Sequence, residues 1–436
     1  MSEKNIFLVS YAGKSDPFLP LGSLYVAKSL QKKGFLPRII LSNISEENFC
    51  SKLHEYNPLY VGFSVFTCPQ IIEMIKLSKL AKREGFTTVW GGHHPTILPE
   101  QCISEEYIDF VVCGEGEEIS VDFTKNLFEE NLEKKLIFKA PKIIRNLDNV
   151  EPALDLVNLE DYVSEILNHL IKKYGPLKSM GYLLTSRGCL SNCGFCGIHG
   201  LYNEAGKSVR NVHSPDSVHK QISYIKSKIP DLERIIVWDD SFFVGNKIDG
   251  RSKKIIEILN EEKLKFTLEV RGTFLKDTEK IKMLKDMGCL QVFIGAESGS
   301  QNILNLMKKG IRVGDYVTAV ENCLKEDLPI RLSFFYGYPG ETLESINETK
   351  KILRLLKSYG EGVTVSGPKM YRPVPGTEGF REAIKLGFKN PEKTEDWVKV
   401  NSNTDPTLLP WLIDEAKRWG VRSDNIFEWL EIRSNE

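Results

Sequence analysis

The chain has 436 residues, with 58 Lys and Arg against 59 Asp and Glu, a net charge of −1 and 41% hydrophobic residues, the balance of a globular protein of two or three domains. Near-neutrality excludes the broad basic footprint of a nucleic-acid binder. No apolar run approaches the roughly 18 residues of a bilayer span, and the polar start Met1-Ser-Glu-Lys-Asn carries no secretory leader, so the chain reads as cytoplasmic.

Residues 5–125 alternate short apolar runs with longer mixed segments. The runs Ile6–Val9, Ile39–Leu41, Tyr60–Phe63, Thr87–Trp90 and Phe110–Cys113 predict strands of a parallel sheet buried on both faces. Segments such as Leu21–Lys33 and Gln70–Glu84 predict helices between them, each followed by a glycine, Gly34 and Gly85, at the usual stopping point. Five such units imply a doubly wound, Rossmann-like domain over 1–140. Residues 141–180 read as a linker, with Asn146–Pro152 irregular and Asp161–Lys173 helical. From Gly181 the alternation resumes. Tyr182–Thr185, Ile235–Trp238, Phe266–Val270, Gln291–Ile294, Arg331–Phe335 and Gly362–Ser366 predict a partial (β/α)6 TIM-type barrel over 181–376. In the helix after its fifth strand, Leu343, Ile346, Leu353 and Leu356 share one face. Residues 377–436 read as a short helical tail whose Trp397, Trp411, Trp419 and Trp429 pack a core.

Nine cysteines in a reducing compartment are thiols or metal ligands. Cys50, Cys68, Cys102, Cys113, Cys289 and Cys323 have apolar neighbours and read as small buried hydrophobes. Cys189, Cys193 and Cys196 differ, because they crowd one loop after the first barrel strand, on the rim where barrels place chemistry. Three thiolates there could hold a [4Fe–4S] cluster with one iron left open. With His199 they could instead form a tetrahedral Cys3His zinc site, although zinc staples favour small or loop-rich modules.

Cys-x3-Cys-x2-Cys with Phe195 before the third cysteine, after Ser186-Arg187-Gly188, resembles the radical S-adenosylmethionine (SAM) signature. The resemblance continues at later strand ends: Trp238-Asp-Asp-Ser-Phe242, Arg271, Gly295-Ala-Glu297-Ser-Gly299, Gly337-Tyr-Pro-Gly340-Glu341 and Met370–Gly376. It implies that SAM chelates the open iron and is cleaved to a 5′-deoxyadenosyl radical by an electron from the cluster. It further implies that Glu297 holds the SAM ribose, Asp239 or Asp240 faces the amino group, and Arg271 the carboxylate. An external donor such as flavodoxin or ferredoxin would supply the electron.

In the first domain, ligands bind beyond the strand C-termini. The loops there are Ser10–Lys14, Ser64–Cys68, Gly91–Thr96 and Gly114–Glu117. Ser64 and Thr67 offer hydroxyls, and Gly91 and Gly92 allow close backbone approach. Pro20-Leu-Gly22, Gly91-Gly-x-His94-Pro95 and Asp109–Glu117 resemble the cobalamin-binding domain found ahead of radical SAM barrels, which makes His94, Gly114 and Glu115 further cofactor candidates. None of the seven histidines sits in an Asp-x-His-x-x-Gly motif. Bound cobalamin is therefore expected base-off, with no histidine on cobalt and His94 against the corrin edge or the fold. The expectation is a cobalamin-dependent radical SAM enzyme acting on a small molecule or natural product, with methyl transfer to an unactivated carbon or phosphorus centre. The alternatives are a radical cyclase or rearrangement enzyme, a radical SAM enzyme with a purely structural first domain, or a non-catalytic cluster or cobalamin carrier. A tRNA methylthiotransferase fits less well, since the first domain lacks that family's cysteine pattern.

Overall fold

Short Val- and Ile-rich runs build two six-stranded parallel sheets in succession. The structure is a computed structural model and describes residues 4–12, 19–67, 71–129, 131–140, 143–162, 179–204, 207–400 and 408–418. The expected helix Asp161–Lys173 lies almost wholly outside these residues, as do Cys68, Trp419, Trp429 and the end of the Ser10–Lys14 loop.

The first sheet contains β1 (Asn5–Ser10), β2 (Leu36–Leu41), β3 (Val61–Ser64), β4 (Thr88–Gly91), β5 (Phe110–Cys113) and β6 (Leu136–Lys139), in the order β2-β1-β3-β4-β5-β6. β6 was not expected. It is an edge strand with no fully buried residue, and its apolar run, Leu136–Phe138, is three residues set between lysines. After β2 the chain crosses β1 to reach β3, which makes the C-terminal ends of β1 and β3 the switch point where such sheets bind ligands. The helices stop where foreseen, with Gly34 and Gly85 in the left-handed region after Leu21–Gln31 (α1) and Ile71–Arg83.

Residues 143–162 form three short 3-10 turns rather than a loose tether. Leu147 is buried in a small cluster with Tyr25, and Leu154 and Leu159 are buried in the core of the second sheet together with Leu24 of α1.

The second sheet places β7 (Met180–Leu183), β8 (Arg234–Val237), β9 (Lys265–Glu269), β10 (Cys289–Glu297), β11 (Ile330–Tyr336) and β12 (Val363–Met370) side by side in chain order. β7 and β12 are opposite edges of this sheet, so the barrel is partial. Helix Leu343–Ser358 buries the foreseen face, Leu343, Ile346, Leu353 and Leu356, and Thr342 caps it by accepting from Ser345 N–H at 3.2 Å. The tail does not extend the barrel. Trp397, Trp411 and Leu412 join Phe7, Phe63 and Ile71 in a core on one face of the first sheet. Among the described residues no helix is long and apolar enough to cross a membrane.

Candidate functional site

The cysteine loop leaves the barrel beside a buried carboxylate. Asp239, just past β8, accepts from Thr185 N–H (2.6 Å), Thr185 Oγ1 (2.5 Å), Ser186 N–H (3.0 Å) and Ser186 Oγ (2.6 Å). Asp240 accepts from Gly188 N–H at 2.8 Å. Both aspartates thus hold the short strand leading to Cys189. That strand, Ser186–Gly188, pairs antiparallel with Arg210–Val212. Gly188 has φ +83°, and a Cβ there would meet the Val209 carbonyl oxygen at 2.1 Å, so the residue before Cys189 must be glycine.

Cys193 is buried and Cys189 and Cys196 are half-buried. Burial pushes the Cys196 thiol up to about 12 and raises that of Cys193, and in each case the neighbouring thiols add to the effect. A metal centre offsets this cost by accepting thiolate charge. Among the described residues no three His, Cys, Asp or Glu side chains close on one point as a single ion requires. Three thiols on one loop are the donor chemistry of an iron–sulfur cluster, whose thiolates bind different irons and need not close on one point.

Beside the loop lies an opening of about 380 Å³ lined by Cys189, Ser191, Arg210, Arg271 and Lys309, with no carboxylate lining it among the described residues. Arg271, past β9, donates to Ser191 Oγ and to the Lys309 carbonyl. Glu297 ends β10, where the register with β11 shifts between Gly295 and Glu297. Its φ of +66° is a left-handed conformation seldom adopted by a side chain other than Asn, Asp or Gly. Its carboxylate accepts from Lys309 Nζ at 2.8 Å and Ser333 Oγ at 3.3 Å. Gly295 makes room for this pair, since a Cβ there would meet Glu297 Oε1 at 2.1 Å and Lys309 Nζ at 2.8 Å. The sequence reading missed Lys309, because a lysine in a Lys-Lys-Gly turn carries no signal of burial.

A larger cavity, about 640 Å³, lies between the first sheet's strand ends and the barrel mouth. Ser64, Gly91, Gly92, Gly114 and Glu115 line one wall, and Arg187, Trp238 and Asp240 the other. Gly92 has φ +94°, and a Cβ there would meet Val65 N at 3.0 Å, so this part of the wall needs a glycine. The glycine-cut edge allows the close backbone approach that a cobalamin laid against these strand ends would need. Thr67 and His94 do not line the cavity. Their side chains bond each other (Oγ1 to Nδ1, 2.9 Å), and the fully buried His94 ring packs edge-on against Trp397. His93 lines the cavity instead, beside Phe66. Burial pushes both imidazoles down to about 4 and so keeps them neutral. Two adjacent histidines after a strand cannot be told apart without the backbone that points one in and one out.

Residues 183–353 match the Radical SAM superfamily, and residues 16–124 match the B12 binding domain. The chain is a radical SAM protein with a B12-binding domain. This radical SAM protein is 27% identical over 410 residues to an uncharacterized methyltransferase of Pyrococcus horikoshii, covering 89% of this chain and 83% of the relative. It is 24% identical over 421 residues to an anaerobic magnesium-protoporphyrin IX monomethyl ester cyclase of Cereibacter sphaeroides, covering 90% of this chain and 63% of that enzyme. Its fold is similar to that of the radical SAM methyltransferase TsrM from Kitasatospora setae, solved with cobalamin and a [4Fe–4S] cluster bound. The TM-score is 0.63 at 17% identity, over 88% of this chain and 76% of that one. The radical SAM protein is thus an enzyme of the cobalamin-dependent, methyltransferase-like type.

Proposed function

We propose that the enzyme transfers a methyl group to an unactivated carbon or phosphorus centre of a small molecule or natural product. The observation that carries this reading is the shared cavity, whose walls come from the loops of the B12-binding domain and from the barrel mouth beside the cysteine loop. When bound, the cluster would supply an electron to SAM and cobalamin would carry the methyl group. Cys189, Cys193 and Cys196 would hold the cluster. Arg271 would orient the SAM carboxylate from the basic opening, and Glu297, pre-set by Lys309, the ribose. Of the two aspartates, Asp240 has the open role at the cavity wall, since the oxygens of Asp239 are engaged by Thr185 and Ser186. Ser64, Gly91, Gly92, Gly114 and Glu115 would cradle the cobalamin, with Thr67 and His94 supporting that wall from behind.

We divide the chain into a cobalamin domain over 1–140, a connecting segment over 141–180, a barrel over 181–376 and a tail over 377–436. The setting is cytoplasmic, with an external one-electron donor of the flavodoxin or ferredoxin kind. Cyclisation is the second reading, favoured by the cyclase relative, although the chain spans a larger share of the methyltransferase relative.

The test is anaerobic reconstitution with iron, sulfide and cobalamin, followed by reduction with SAM present. The protein should hold about four irons and release 5′-deoxyadenosine. Replacing all three cysteines with Ala should abolish both while leaving cobalamin bound. Zinc retained on anaerobic purification and lost in His199→Ala would overturn the reading.

A further inference from the structure

One side chain fastens the cysteine loop to the opposite wall of the cavity. Arg187 lies two residues before Cys189 and is buried. Its Nη1 donates to Glu115 Oε1 at 2.8 Å, its Nη2 stands 2.6 Å from Glu117 Oε1, and its guanidinium lies 4.6 Å from the centre of the Tyr25 ring. Glu115 and Glu117 flank the start of helix Gly116–Phe128, and Tyr25 lies on α1, so all three partners belong to the first sheet's layer.

The connecting chain joins the same knot. Ile144 N–H donates to Glu115 Oε2 at 2.5 Å, and the Ile144 carbonyl accepts from Asn211 Nδ2 at 2.9 Å. Asn211 sits on the strand paired with Ser186–Gly188, opposite Arg187 itself. Four stretches of chain, around Tyr25, Glu115, Ile144 and Arg187, therefore meet on one guanidinium and two carboxylates. A planar fork can serve two carboxylates at once, whereas an ammonium offers no such fixed geometry. Arg187, Glu115 and Glu117 all line the shared cavity, so the knot is part of the wall between the two cofactor sites.

We propose that Arg187 is a positioning residue, which fixes the separation and orientation of the cysteine loop relative to the cobalamin-binding loops. The proposal rests on the function argued above. Without the guanidinium, Glu115 and Glu117 would lose their common partner on the cysteine strand, leaving two buried carboxylates uncompensated and the direct tie between the two walls gone.

The measurement is pulsed electron paramagnetic resonance of the dipolar coupling between Co(II) cobalamin and the reduced cluster in the full-length holoprotein. The parent should give one narrow distance distribution. Arg187→Ala, with iron and cobalamin contents retained, should give a shifted or broadened one, and Arg187→Lys should restore it in part. A residue of general structural value would lower thermal stability without moving the distribution. An unchanged distribution in Arg187→Ala would overturn the proposal. Should that variant fail to fold, Glu117→Gln, which weakens one arm of the fork at nearly constant shape, is read by the same criterion. A parent lacking either signal would instead overturn the reading of the site, and this proposal with it.

Discussion

Glu297 combines a left-handed backbone, a buried carboxylate and an ion pair to Lys309, and such features are retained where function holds them. Glu297→Ala should weaken SAM binding by roughly 1.5–3 kcal/mol, the value of hydrogen bonds to a charged group, and leave iron content unchanged. Calorimetric titration showing parental affinity would reduce the residue to a rim charge. Lys309→Met leaves the buried carboxylate without its counter-charge and with the Ser333 hydroxyl as its remaining named partner, so urea denaturation should show a loss of about 3–5 kcal/mol. His94 offers a negative prediction. Its Nδ1 is taken by Thr67 and its ring by Trp397, so the Co(II) resonance of bound cobalamin should be identical in His94→Ala and the parent. Nitrogen superhyperfine splitting present in the parent and missing from the variant would show that histidine on the metal.

The loop after β11 turns on a single buried acid. Glu341 accepts from Gly337 N–H, and burial pushes its carboxyl up from 4.5 to about 8. A group whose folded pKa is raised binds more protons in the native state. Its stabilising contribution is therefore complete below about pH 4.5 and is lost as pH rises through about 8. Glu341→Gln keeps the shape without the charge. The variant should gain on the parent by up to about 1.4 kcal/mol per pH unit across that window. Chemical denaturation at both ends would read the gap, and an equal gap at each would show that Glu341 is ionised throughout. The β10 bulge acts on the same scale, since one shifted residue turns Glu297 toward Lys309.

Across the whole molecule, the tail closes a core that the first sheet leaves open. Trp397 is fully buried, donates from Nε1 to Gln101 Oε1 at 2.7 Å, and meets His94 edge-on. Trp397→Ala should cost about 3–5 kcal/mol and shift the unfolding of the B12-binding domain more than that of the barrel, as hydrogen exchange would report. Loss confined to the barrel would mean that the tail serves the other sheet. The sequence by itself determined the strand-and-helix alternation, because a parallel strand buried on both faces must be apolar along its length. It also determined the cysteine triplet and the glycine-rich loops, because metal ligation and close backbone approach allow few substitutes. β6 was not legible, since three apolar residues between lysines on a partly exposed edge carry little signal of a strand. Only the tertiary structure decided that Arg187 joins Glu115 and Glu117, that Lys309 meets Glu297, that His93 rather than His94 lines the cavity, and that the oxygens of Asp239 are engaged within its own sheet layer. These depend on side-chain direction and on contacts between segments far apart in the chain, and neither periodicity nor local spacing encodes such pairings.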